Sequence, residues 1–234
     1  MSAIFVAGTD TNVGKTHVCG LLLDFLFKQG IKAGYQKWVA TGPEYPPSDL
    51  VECLRVAGRS VDPDAVEWQV PYHFSLAASP HLAAEQEGAC VDPALIRKKY
   101  QEMVARHELL VVEGVGGLMV PLRRDLLFVD FLGRLKIPTL LVARSGLGTI
   151  NHTLLSLAAL RERKIPLLGV VFSDAAPSPS ELLVEDNLRT IAEMGRVSVF
   201  GRVPYSPEID QSKDCFAPIG QTILATIQKT FLSR

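Results

Sequence analysis

Short apolar runs without alternation recur along the chain, at residues 4–7, 109–112, 139–143 and 167–172, each leading into a longer amphipathic stretch. A strand with one face in water alternates polar and apolar residues. An unbroken apolar run instead implies a strand covered on both faces, as in a parallel sheet packed between helices. The pattern therefore predicts an α/β fold with a mostly parallel sheet and helices on both faces. The 234 residues fit one core, and no composition break marks a linker, so a single domain over residues 1–234 is expected.

Helices are predicted over residues 14–29, where Gly30 supplies a stop, and over residues 92–106, where Asp92 caps and Pro93 suits the first turn. Further helical patterns cover residues 48–57, 127–135, 149–163, 180–194 and 218–231. Residues 32–39 read as a strand beside the first one, and the Pro-rich residues 42–47 read as a surface loop able to gate a site.

Charge narrows the partners. With 24 basic against 25 acidic residues, nothing in the overall field favours nucleic acid or an anionic membrane, which leaves small molecules as the expected ligands. Residues 1–7 enter an apolar strand without a basic segment or cleavage site, and no apolar run approaches the roughly 18 residues of a membrane span. A soluble, cytoplasmic protein is expected. Cys19, Cys53, Cys90 and Cys215 lie too far apart in sequence for a zinc or redox motif.

Gly8-Thr9-Asp10-Thr11-Asn12-Val13-Gly14-Lys15-Thr16 stands where the first strand turns into the first helix, the setting a phosphate-binding loop requires. Backbone N–H groups of Thr11, Asn12, Val13 and Gly14 and the helix start favour an anion; Lys15 can meet the outer phosphates, and Thr16 can hold magnesium. Five residues separate Gly8 from Gly14, so the spacing departs from the usual phosphate-loop pattern. The loop alone indicates a nucleoside triphosphatase and does not choose among switches, partitioning ATPases, kinases and synthetases.

Other residues narrow the choice. Lys37 ends the second apolar strand, on the sheet edge shared by the loop, and reads either as a second cation in the site or as a solvated strand-end lysine. Asp49 opens a helix and reads either as a first-turn carboxylate or as a magnesium ligand. Glu113 follows an apolar strand and precedes Gly114-Val115-Gly116-Gly117, the place of a Walker-B-type carboxylate before a loop that admits a ligand. Ser79-Pro80-His81 reads as a turn, with a lone histidine. Gly146-Leu147-Gly148-Thr149-Ile150-Asn151 enters a helix, with Thr149 or Asn151 expected to cap it or exposed N–H groups to receive a carboxylate.

Taken in order, the loop, Lys37, Ser48-Asp49, Ser79-Pro80-His81, Val112-Glu113-Gly114 with Gly116-Gly117 and Pro121, and Ile150-Asn151-His152 resemble the dethiobiotin synthetases. The resemblance runs from the first strand to about Phe172 and returns at Val203-Pro204. It implies a homodimer that joins carbon dioxide to 7,8-diaminopelargonic acid with ATP and Mg2+. By that resemblance Thr16, Asp49 and Glu113 hold the metal, while Lys15 and Lys37 are the catalytic cations. Thr11, Lys37, Thr41, Gly116, Gly117, Leu147 and Asn151 meet the substrate, the last from a partner subunit, and Pro204 and Tyr205 lie on the adenine side. Trp38 replaces a proline usual in the family, Asn12 replaces a glutamate, and Ser173-Asp174 stand where an asparagine often touches adenine. A partitioning-type regulatory ATPase and a cobyrinic-acid-type synthetase domain are the competing readings. The former normally carries a lysine early in the loop, and Thr9 and Asp10 are not lysine; the latter usually adds a glutaminase domain.

Overall fold

The computed structural model describes residues 2–177 and 180–232. In chain order its elements are β1 (Ser2–Gly8), α1 (Lys15–Lys28), β2 (Ala33–Lys37), β3 (Val39–Thr41), α2 (Ser48–Val56), α3 (Val66–Gln69), β4 (Tyr72–Phe74), α4 (Pro80–Gln86) and α5 (Pro93–Arg106). They continue as β5 (Leu109–Glu113), β6 (Pro121–Arg123), β7 (Leu126–Leu127), α6 (Phe128–Leu135), β8 (Thr139–Ala143), α7 (Thr149–Glu162), β9 (Leu167–Ser173), α8 (Glu181–Gly195), β10 (Val199–Val203) and α9 (Ile209–Leu232).

Six strands form one sheet in the order β10-β9-β8-β1-β5-β2, with every pairing parallel. The α/β architecture expected from the unbroken apolar runs is thus present. Along β1, Ile4 and Val6 enter the core shared with α1, α2 and α9, whereas Phe5 and Ala7 enter the core shared with α5, α6 and α7. Both faces of the strand are dry, which is why its sequence does not alternate.

From β1 the connections lead to β5 and β2 on one side and to β8, β9 and β10 on the other. The loop after β1 therefore sits at the switch point of the sheet, where open α/β folds form crevices. Register brings the chemistry to this edge: Lys37 pairs with Glu113 across β2 and β5, and Gly8 pairs with Val142 across β1 and β8. Helix α1 packs closely on α2 through Gly20, where a Cβ would lie 2.6 Å from Val56 Cβ and 2.7 Å from the Cys53 carbonyl oxygen. That approach seats the C-terminal half of α2 on α1, while at the other end of α2 Asp49 Oδ1 lies 3.2 Å from the Thr16 hydroxyl.

Several local expectations change. The strand expected over residues 32–39 ends at Lys37; Val39–Thr41 joins β4 in a separate two-stranded sheet. Ser79-Pro80-His81 is the start of α4, with Pro80 in the first turn, rather than a free-standing turn. The last helix begins at Ile209 and carries Pro218 inside it. At α7 the cap is Gly148 with φ 89°, and no side chain caps the helix; the Thr149 hydroxyl meets Thr153 at 3.3 Å instead. The Asp92 cap is present, its carboxylate accepting from Ala94 N–H at 2.8 Å. Among the described residues no helix is long and apolar enough to cross a membrane.

Candidate active site

In the loop from β1 to α1, Thr9 N–H donates to the Val142 carbonyl oxygen at 3.0 Å and Thr11 N–H to Asp10 Oδ1 at 2.7 Å, and the turns that follow shape the backbone for an anion. Asn12 has φ 57° and Gly14 has φ 87°, two left-handed turns that curl the backbone into a nest for an anion. No side chain caps the first turn of α1, so its amides are available to a ligand. Gly14 is required twice over, since a side chain there would be strained at that φ and would run into the Ser173 hydroxyl at the end of β9. Across the loop, the Gly116-Gly117 segment lies against it: Cβ atoms at these positions would stand 3.5 Å from Thr11 Oγ1 and 3.3 Å from the Thr9 carbonyl oxygen.

Four of the residues singled out in the sequence, Thr16, Lys37, Asp49 and Glu113, form one bonded cluster, with Lys15 beside it. Lys37 Nζ lies 2.6 Å from Glu113 Oε1 and 2.7 Å from Asp49 Oδ2. The Thr16 hydroxyl reaches the same carboxylates, at 2.8 Å from Glu113 Oε1 and 3.2 Å from Asp49 Oδ1. Lys15, 6% exposed, donates to the Asp10 carbonyl oxygen at 2.9 Å. Lys37 is 3% exposed and Glu113 fully buried, so neither is a solvated strand-end residue. Asp49 lies in the first turn of α2, and its carboxylate faces the cluster.

Burial and neighbours set the charges. Burial first, and Lys37 second, lower the Lys15 pKa to about 8, with Glu113 and Asp49 pulling it back up. Burial also works against charge on Lys37, but Glu113 and Asp49 outweigh it and hold the ammonium above its ordinary range. Burial tends to raise Asp49, yet its ion pair with Lys37 carries the net shift downward.

Sequence reasoning missed Tyr35. Its hydroxyl donates to Glu113 Oε2 at 2.6 Å and so holds the oxygen that Lys37 and Thr16 leave free. The available signal was the strand period, which puts Tyr35 and Lys37 on one face of β2. Asp174, named in the sequence with Ser173 as standing where an asparagine often touches adenine, accepts from Ser145 Oγ at 2.7 Å and from Arg202 Nε at 2.7 Å, two partners the sequence did not indicate.

The remaining candidates lie outside the bonded cluster. Thr41 is half-buried and lines a small cavity with Asp49 and His73. Thr11 and Gly117 line a cleft of about 430 Å³ that continues over Met119, His152 and Leu155. Leu147 is 82% exposed, and Asn151, Pro204 and Tyr205 are exposed on the surrounding surface. His81 contacts Ser79 Oγ at 3.0 Å and lines a different cavity, with Arg123 and Arg124.

A buried carboxylate, two lysines and an alcohol below a phosphate nest can bind a triphosphate and stabilise a transferring phosphoryl group. Relatives identify the family. A family model described as an AAA domain matches residues 2–213. The ATP-dependent dethiobiotin synthetase BioD of Rhodopseudomonas palustris strain HaA2 is 42% identical over 88% of this chain and 87% of its own. The enzyme of the same name from Halalkalibacterium halodurans is 34% identical over 88% and 86%, and that from Anaeromyxobacter dehalogenans 36% identical over 97% and 100%.

The chain belongs to the ATP-dependent dethiobiotin synthetases. It is thus an ATP-dependent enzyme of the ligase class. Structural likeness alone would not have said so. The cell-division ATPase MinD of Pyrococcus furiosus matches this synthetase with a TM-score of 0.64, covering 96% of this chain and 99% of that one, at 14% identity. That likeness shows the fold, which partitioning-type ATPases share. What separates the two readings is the sequence relationship.

Proposed function

We propose that the protein closes the ureido ring of dethiobiotin, using ATP to join carbon dioxide to 7,8-diaminopelargonic acid. One observation carries this reading: Lys37, Thr16, Asp49 and Glu113 are bonded to one another directly beside Lys15 and the phosphate loop. One amine of the substrate takes up carbon dioxide as a carbamate and loses a proton. A carbamate oxygen attacks the γ-phosphorus, ADP leaves, and a carbamic-phosphoric anhydride results. The second amine then attacks the activated carbonyl, phosphate departs, and the ring closes.

The residues act by position and charge rather than by acid-base exchange. The amides of Thr11, Asn12, Val13 and Gly14 cradle the phosphates. Lys15 stabilises the transferring phosphoryl group, and Lys37 steadies the negative charge of carbamate and phosphate. Thr11, Thr41, Gly116 and Gly117 frame the diamine, while Pro204 and Tyr205 border the adenine.

Thr16, Asp49 and Glu113 suit Mg2+. All three offer hard oxygen donors, and the Thr16 oxygen already reaches both carboxylates. Among the described residues no three His, Cys, Asp or Glu side chains gather into a protein-only cage, in keeping with a metal that takes its other ligands from phosphate and water. When bound, the ion offsets charge on the β- and γ-phosphates. The enzyme works as a cytoplasmic homodimer, with Leu147 and Asn151 of one protomer receiving the carboxylate tail of a substrate held by the other.

The test is phosphate release by purified protein given ATP, Mg2+ and bicarbonate, with and without diaminopelargonate. Release that depends on the diamine supports the reaction. Equal release without it rejects the reaction.

A further inference from the structure

Lys37 holds more than its share of the site. The oxygen it reaches on Glu113, Oε1, is the same one that accepts from the Thr16 hydroxyl. Its second partner, Asp49, is the other carboxylate that Thr16 meets. The remaining Glu113 oxygen is taken by Tyr35. A protein cation is therefore bonded to both carboxylates assigned above to magnesium.

Two physical consequences follow. An ammonium hydrogen-bonded to a carboxylate oxygen occupies lone pairs that a hard cation needs. Formal charge is also balanced locally, with Asp49 and Glu113 negative against Lys37 and the neighbouring buried Lys15. A divalent ion arriving alone would leave surplus positive charge beside buried groups, where screening is poor. A metal arriving with a triphosphate brings its own compensation, and the phosphates offer the displaced ammonium a new partner.

We propose that Lys37 is a stand-in for the divalent cation, closing the Thr16–Asp49–Glu113 site to metal alone and yielding it only to metal that arrives with nucleotide phosphates. The inference rests on the assignment of those three residues to magnesium and adds a rule of entry to it. Lys37 is then a positioning residue before it is a catalytic one: the exchange that loads the metal frees the lysine for the phosphate and carbamate charges.

Manganese tests this, because it seeks the same oxygen ligands and its free and bound forms are separated by electron paramagnetic resonance. The full chain is titrated with Mn2+ alone and with Mn2+ plus the slowly hydrolysed analogue ATPγS. In the unchanged protein tight binding is expected only with the analogue. In Lys37→Met, which keeps length and removes charge, Mn2+ alone is expected to bind at least about tenfold more tightly than to the unchanged protein. Adding Asp49→Asn should remove that gain. Thermal unfolding gives a second readout: Mn2+ alone should raise the melting temperature of Lys37→Met and leave that of the unchanged protein where it was. If Lys37→Met does not fold, Lys37→Gln is read in the same way. Mn2+ that fails to bind even with ATPγS, or binds equally well to Asp49→Asn, overturns the metal-ligand assignment itself. Binding with ATPγS that needs Asp49, but with no gain in Lys37→Met, overturns the stand-in role alone.

Discussion

Lys15 carries its charge in a setting that works against it, since burial and the nearby Lys37 bring its pKa down to about 8. Phosphate oxygens reverse that pressure, so nucleotide binding should draw a proton onto Lys15 above pH 8. Calorimetry of ATPγS binding in buffers of differing ionisation heat should show proton uptake that is largest between about pH 8 and the ordinary lysine value of 10.5. Binding without uptake would contradict this. The sign for stability is opposite to that of a paired lysine: between about 8 and 10.5 the unfolded chain binds the extra proton, so Lys15 adds stability as pH rises there. Lys37, raised by its carboxylates, gives stability below the ordinary lysine value that is lost as pH climbs through its folded pKa. Tyr35 makes the second test at this scale. Tyr35→Phe removes one donor from a buried carboxylate and should cost about 1–3 kcal/mol in chemical denaturation, whereas an unchanged midpoint would deny the hydrogen bond any role. Lys15, Thr16, Lys37, Asp49 and Glu113 were legible because each residue type has a known use at a strand end or helix start. Tyr35 was not, because a tyrosine within an apolar strand ordinarily reads as core.

Trp38 shows how an element boundary positions a functional side chain. Its indole is fully buried, with ring centroids 5.0 Å from Phe5, 5.8 Å from Phe128 and 5.3 Å from Phe131, and its Nε1–H donates to Gln36 Oε1 at 3.1 Å. This anchor lies between the end of β2 and the start of β3, fixing where the strand stops and hence where Lys37 stands. Trp38→Ala should lower stability by about 3–5 kcal/mol, measured by urea unfolding. A loss under about 1 kcal/mol would mean that the aromatic cluster contributes little. The sequence hid this boundary, since the strand-forming Trp38, Val39 and Ala40 follow Lys37 directly, with no Gly or Pro to mark a break before Gly42. It hid β10 for the opposite reason: Val199–Val203 is a half-buried edge strand interrupted by Gly201 and Arg202, without the unbroken apolarity that marked the inner strands. Pro218 suggested a helix start because proline favours first turns, yet α9 had already begun at Ile209.

At the scale of the whole molecule, the parallel sheet was legible because two-sided burial leaves a plain mark on sequence, and the reaction was not legible from the fold. A chain of this architecture also serves a cell-division ATPase. The proposed dimer makes a claim of the same scale. Met119 and Leu155 line the cleft beside the phosphate loop while remaining 56% and 62% exposed. Sedimentation should give a dimer, and Leu155→Asp should shift it toward monomer and raise the KM for the diamine; a monomeric unchanged protein that turns over normally would contradict the shared site. The central claim, that this sheet edge builds a ureido ring, is tested most directly by mass spectrometry of the product formed from diaminopelargonate, ATP and ¹³C-bicarbonate. Dethiobiotin carrying a single ¹³C at its ring carbonyl is predicted. ATP consumed without any labelled ring product would contradict the account.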